Sequence, residues 1–150
     1  QMPLNFGLEY VAEDGTKKRP IMIHRVCFGS IERFIGILTE HFAGKFPTWL
    51  APVQVKVLPV SDKSMDYARE IYEALRDEKV RVQLDDRNEK IGYKIRYARQ
   101  VDRVPYMLII GEKEIADKTV SVRNRDTDET TVMSLVDFTA KVKDEIANRK

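Results

Sequence analysis

Arginines, more than any nucleophile, set the chemistry open to this sequence. Between Lys90 and Arg103 stand five basic residues (Lys90, Lys94, Arg96, Arg99 and Arg103) against one acid, Asp102. At about 100° per residue, Ile91, Ile95 and Ala98 cluster on one side of a helix. Arg96, Arg99 and Arg103 cluster on another, Gly92 lies within that arginine face, and Lys90 and Lys94 flank the apolar side. A glycine there lets a backbone approach closely. Such a face suits phosphate or splayed single-stranded bases; on pattern alone it is equally a solvated basic face. Arg33 is a second candidate, near the start of a predicted helix just after Gly29-Ser30. A guanidinium in that place can stack on adenine and offset triphosphate charge through forked donors, or simply pair with a nearby carboxylate. Tyr93 and Tyr97, at i and i+4, fit either RNA stacking or packing, and Trp49 reads as a packing anchor. Cys27 has no activating neighbours and reads as a buried thiol. Asp85-Asp86 offers too few carboxylates for a metal, so Asp86 is read as a turn or helix-start residue.

These residues need elements to hold them. Residues 1–50 carry Phe6, Leu8 and Tyr10 in alternation, then Asp14-Gly15, then the apolar run Ile21 to Phe28, which is the signature of a hairpin. Ile31, Phe34, Ile35, Leu38 and Phe42 follow at helical spacing, stopped by Gly44 and Pro47. Thr48 to Pro52 reads as a short linker. From residue 53 strand and helix signals alternate. A strand over Val53, Val55 and Val57 is closed by Pro59, and a helix capped by Ser61 or Asp62 carries Ala68, Ile71, Tyr72 and Leu75 inward. Val80, Val82 and Leu84 make a strand, about 89–101 a helix, and Tyr106 to Ile110 a strand buried on both faces. Val120 with Val122 and Thr130 with Val132 make two antiparallel strands around Asp126-Thr127-Asp128. Ser134-Leu135-Val136-Asp137 is a capping box ahead of a last helix. The expected class is α/β: a mixed five-stranded sheet flanked by three helices, preceded by a hairpin and a helix.

Composition narrows the function. With 150 residues, 43% hydrophobic and 33% charged, the chain reads as soluble and globular. No apolar run is long enough to span a bilayer, and no export signal opens it. Cys27 is the only cysteine, so an internal disulfide is excluded, which fits a reducing, cytoplasmic compartment. A formal net charge of +2 leaves any case for nucleic acid to local clustering.

Two stretches carry a resemblance. Arg19-Pro20-Ile21-Met22-Ile23-His24-Arg25 with Gly29-Ser30-Ile31-Glu32-Arg33-Phe34-Ile35-Gly36 resembles the end of the catalytic domain of threonyl-tRNA synthetases, Gly-Ser-x-Glu-Arg matching class II motif 3. Trp49-Leu50-Ala51-Pro52-Val53-Gln54-Val55, the run Asp86 to Arg96, and Val104-Pro105-Tyr106-Met107 resemble that family's anticodon-binding domain. The resemblance covers nearly the whole chain. It implies a C-terminal piece of a class II aminoacyl-tRNA synthetase: residues 1–50 as the end of the catalytic domain and 51–150 as the anticodon-binding domain.

What the resemblance implies for single residues is specific. Asn88, Arg96, Glu114 and Arg123 match anticodon-contacting positions. Asn offers a donor and an acceptor to a base edge, Glu accepts from amino or imino hydrogens, and Arg stacks or forks onto guanine. One departure stands out: between Arg96 and Pro105 the chain is one residue longer than the usual family spacing. Arg33 matches the motif 3 arginine that contacts ATP. His24 matches one ligand of the family's catalytic zinc, whose other two ligands lie upstream in the family, so no zinc is expected in this chain. The full-length parent would use ATP and zinc as a homodimeric threonine–tRNA ligase. The chain alone would bind threonine tRNA, and its own messenger RNA where that resembles the tRNA, without catalysis and without a membrane. A non-catalytic accessory protein reusing the domain is the alternative, against which the motif 3 stretch speaks. A doubly wound small-ligand domain ranks last, because Leu58 to Asp62 holds no glycine for a phosphate loop.

Overall fold

The computed structural model describes all 150 residues. The chain divides into two compact units, residues 1–36 and 37–150. Helix α2 (Ile31–His41) runs across the division.

The first unit holds α1 (Met2–Asn5) and a short hairpin, β1 (Tyr10–Val11) with β2 (Lys17–Lys18). Asp14 fixes its turn. The carboxylate accepts from the Thr16 backbone N–H at 3.0 Å and hydroxyl at 2.6 Å, and from Lys18 Nζ at 2.8 Å. Gly15 follows at φ +74°. The hairpin is far shorter than the sequence pattern predicts, and Ile21 to Cys27 has no regular structure. A strand persists only where another takes up its N–H and C=O groups, and beyond two paired residues this unit supplies no partner. No residue of 1–36 is buried; Ile21 is 91% exposed. Cys27, expected buried, is exposed for the same reason.

The second unit is built on β3 (Val55–Pro59), β4 (Val82–Leu84), β5 (Tyr106–Ile110), β6 (Thr119–Asn124) and β7 (Thr130–Ser134), in the order β4-β3-β5-β6-β7. β3 is parallel to both neighbours, while β5, β6 and β7 run antiparallel in sequence. The mixed five-stranded sheet is the one the sequence predicts. Helices α3 (Met65–Asp77), α4 (Ile91–Gln100) and α6 (Leu135–Ala147) flank it. Ser134 Oγ accepts from the Asp137 N–H at 3.1 Å, the predicted cap of α6. Helix α5 (Glu112–Asp117), the six residues after Gly111, is an element that the sequence pattern does not announce.

Strand alternation splits the core in two. Val55, Val57, Tyr106, Leu108, Ile110, Val120 and Val122 point to one face, under Ile71 and Leu75 of α3 and Phe138 and Val142 of α6. Leu58 and Met107 point to the other, under Ala98, Ile91 and Ile95 of α4. One face is therefore covered by two helices and the other by one. No helix of the chain is long and apolar enough to cross a membrane.

Candidate nucleic-acid interface

The face under α4 is the one on which chemistry can be exposed. Residues paired directly across strands point to the same side of a sheet. The pairing Lys56↔Met107↔Arg123↔Thr130 therefore forms one row across that face, and Leu58↔Ile109↔Ser121↔Val132 forms the next. Cover runs out along the row. Met107 is fully buried, Arg123 is 27% exposed at its side chain, and Thr130 and Val132 are exposed. α4 thus roofs β3 and β5 and leaves β6 and β7 as a half-open floor on which Arg123 is partly exposed and Thr130 and Val132 are exposed, with Ser121 buried beside them.

The flank of α4 that meets this floor is basic. Arg99 Nη1 donates to Asp128 Oδ2 at 2.8 Å, and Arg123 Nε donates to Asp128 Oδ1 at 2.9 Å, with Arg123 Nη2 also on Oδ1. Helix and strand therefore converge on one carboxylate, whose pKa is held below the ordinary range chiefly by the Arg123 guanidinium. Arg96 and Gly92 lie on the same flank and are exposed, and apart from the helix's own backbone no atom stands within 4 Å of where a Gly92 side chain would begin. Beyond Arg99 a concavity of about 640 Å³ is lined by Lys45, Arg99, Gln100, Arg103, Arg125 and Asp126.

Two of the four anticodon-matched residues are tied to this face, and a third, Arg96, is exposed on α4. Arg123 rises from its floor. Glu114, on α5, reaches the floor through Ser121, whose hydroxyl donates to Oε1 at 2.6 Å, while Oε2 accepts the Gly111 N–H at 2.8 Å. Burial raises the Glu114 pKa, but the bonds from Ser121 and Gly111, together with its own backbone N–H and the charge of Lys113, hold it below the ordinary carboxylate range. Each oxygen keeps lone-pair capacity for a further donor. Arg96 stands on the α4 flank. Asn88 is exposed on the connection from β4 into α4, outside the carboxyl ends of the parallel strands, where α/β sheets commonly bind ligands.

The structure corrects the basic helix in detail. α4 begins at Ile91, with Lys90 as its N-cap, so Asn88 and Glu89 lie before it. Lys94 is buried, not flanking. Its ammonium donates to the carbonyls of Asp85 at 3.1 Å and Pro59 at 3.3 Å, stitching the ends of two strands. Arg103 sits beyond the helix end at φ +53°, and its guanidinium donates to the Ala43 carbonyl instead of joining the helical face. We expect Lys94→Met to lower stability by about 1–3 kcal/mol, the penalty for stranding buried acceptors. Urea unfolding of the variant should show a lower midpoint; an unchanged midpoint would mean that the two carbonyls find other donors.

Other residues were not foreseen. Asp85 is buried, and Arg87 grips it with both Nε at 2.9 Å and Nη2 at 2.6 Å while stacking 4.4 Å from the Tyr97 ring. Tyr97 therefore packs within the domain, while Tyr93 is 45% exposed. Arg125 is buried and donates to the carbonyls of Arg103 at 2.7 Å and Phe46 at 3.1 Å. Asp128 showed in the sequence only as part of a polar turn. In the first unit, Arg33 and His24 are both exposed, His24 in the irregular segment. Nowhere do three His, Cys, Asp or Glu side chains come together to hold a metal ion, so this chain's residues do not fit a zinc site by themselves.

Comparison with known proteins decides the family. The family model described as "Anticodon binding domain" matches residues 54–145, the whole sheet and nearly all of its helices. The chain belongs to the anticodon binding domain family. Over its full length it is 60% identical to the threonine–tRNA ligase of Clostridioides difficile (strain 630), and over 99% of its length 60% identical to that of Caldanaerobacter subterraneus subsp. tengcongensis. The chain spans about a quarter of the length of these relatives, 23% in each case. Among solved structures it is similar to the RNA binding domain of threonyl-tRNA synthetase from Cryptosporidium parvum Iowa II. The TM-score is 0.77 at 36% identity, covering 96% of this chain and 36% of that one. The chain is therefore similar to threonyl-tRNA synthetases in sequence as well as in fold.

Proposed function

We propose that this chain reads the anticodon loop of threonine tRNA, as the C-terminal part of a cytoplasmic threonine–tRNA ligase. The observation that carries the reading is the half-open floor. It presents Arg123, and Glu114 through Ser121, beside the basic flank of α4. Bases in an RNA loop can be unstacked and turned outward, so their edges reach such a floor. Every threonine anticodon carries a guanine at its centre. An arginine fork matches the O6 and N7 acceptors of guanine, and Glu114 complements the N–H of a neighbouring base. Arg96 and the concavity beyond Arg99 supply cationic cover for the backbone between those bases.

Within the whole ligase, residues 1–50 would end the catalytic domain, with Arg33 on ATP and His24 as one of three zinc ligands. Those steps belong to the longer protein, and the chain on its own is expected to bind RNA without charging it.

The test is a salt titration of binding to two RNA stem-loops, one with the threonine anticodon and one with its central guanine replaced by adenine. The wild type should prefer the first. Arg123→Ala should cost about 1–3 kcal/mol on the threonine loop and erase most of the preference. Arg96→Ala should weaken both RNAs alike and reduce the salt slope by about one. Equal affinity of the wild type for the two RNAs would reduce the site to non-specific charge.

A further inference from the structure

The two arginines nearest the floor do not wait free for RNA. Both are held by Asp128, in the turn between β6 and β7. That turn is itself built to hold the acid. Asn124 Oδ1 accepts the N–H groups of Asp126 at 2.7 Å and Thr127 at 3.2 Å, and the Asp128 N–H closes onto the Asn124 carbonyl at 3.2 Å. Asp128 adopts φ +61°, a conformation that Asp and Asn tolerate better than most residues. Three separate elements, helix α4, strand β6 and the turn, thus meet at one carboxylate.

A guanidinium has two edges that can fork: Nε with one Nη, and the two Nη together. Arg123 spends the first edge on Asp128, so the remaining Nη donors are fixed in direction. The carboxylate also cancels charge on Arg99 and Arg123, which would otherwise attract any phosphate.

Building on the anticodon reading above, we propose that Asp128 is a specificity-determining positioning residue. It fixes the free edge of Arg123 toward a guanine and withholds Arg99 and Arg123 from indiscriminate phosphate contacts. A base edge that completes the fork retains the Asp128 pairing, whereas a phosphate must compete with it. Discrimination comes from making the wrong contact cost more, as well as from making the right one.

The experiment uses the full 150-residue chain, the two stem-loops above, and two variants, Asp128→Asn and Asp128→Gly. Both residues accept positive φ, so the turn is kept, and thermal unfolding checks that each variant folds. Losing the carboxylate should tighten binding to the adenine-substituted loop and steepen its log–log salt slope by about one. The preference for the threonine loop should fall on the order of tenfold, the size of one bidentate base contact. If both folded variants keep the wild-type slope and preference, or lose affinity for the two RNAs equally, the proposal is overturned. A wild type without any preference would instead sink the anticodon reading, so the two failures are distinguishable.

Discussion

Replacing Phe138 by alanine should lower the unfolding free energy by about 3–5 kcal/mol, a large share of what a domain of this size possesses. The ring, carried by α6, is fully buried against the sheet. It meets the Tyr106 ring edge-on, with centroids 5.6 Å apart and planes at 83°. Tyr106 in turn donates to Glu145 of the same helix at 2.6 Å, so aromatic contact and hydrogen bond clamp α6 to β5 together. Surrounding β-strands are fixed by their ladders and cannot collapse into the space a lost ring leaves. Urea unfolding of Phe138→Ala should show a lower midpoint at an unchanged denaturant slope. A loss under 1 kcal/mol would mean that α6 contributes little to the core.

The second large effect is electrostatic. Lys56 points from β3 to the α4 face and is buried, with its ammonium on Asp102, 3.9 Å from Asp85 and 5.5 Å from the centre of the Tyr97 ring. Arg87 completes the group by pairing with Asp85. Removing Lys56 strands Asp102, whose side chain is a quarter exposed, and weakens the compensation of buried Asp85, which Arg87 still holds, at a cost of about 1–3 kcal/mol. Lys56→Met should lose stability on that scale, although methionine fills nearly the same volume. Adding Asp102→Asn should recover part of the loss, since one of the stranded charges is then gone. An additive double variant would show that the two side chains do not interact. Acid acts on the same network. The Arg87 guanidinium, with help from Lys56, holds the Asp85 carboxyl below its ordinary range despite burial. Its folded pKa is depressed, so its stabilisation is complete above the unfolded value and disappears as pH falls through the lower folded one.

These effects separate what the sequence could reveal from what it could not. The run Tyr106 to Ile110 announced its strand, because burial on both faces forces continuous apolar residues, and Val55 and Val57 announced theirs by alternation. Ser134 and Asp137 announced the start of α6, because an N-cap is a local bond between near neighbours. The hairpin in the first unit is shorter than its residue pattern implies. Alternation in Phe6, Leu8 and Tyr10 describes a strand that would need pairing, and pairing is not a local property. Lys94 was misplaced for a related reason. Helical angle puts it at 300° from Ile91 by the 100° rule, on the rim of the apolar side, and only the carbonyls of Asp85 and Pro59 pull it inside. α5 was missed, although Gly111 with Glu114 three residues later resembles a capping pair, because it lasts six residues. The candidate site was legible mainly through residue types matched to a known family. Its organising acid, Asp128, was not, since nothing in a turn's composition says which arginines will fold back upon it.

Strand β6 carries a last consequence. Its even-numbered residues, Val120 and Val122, enter the core under α6, while Ser121 and Arg123 rise on the opposite side. Changes of ligand preference and changes of thermal tolerance can thus accumulate on alternate positions of one short segment with little interference. Such a strand can drift toward a new RNA sequence through Arg123, which is partly exposed, while a change at buried Ser121 forfeits its bond to Glu114 at a cost of about 1–3 kcal/mol.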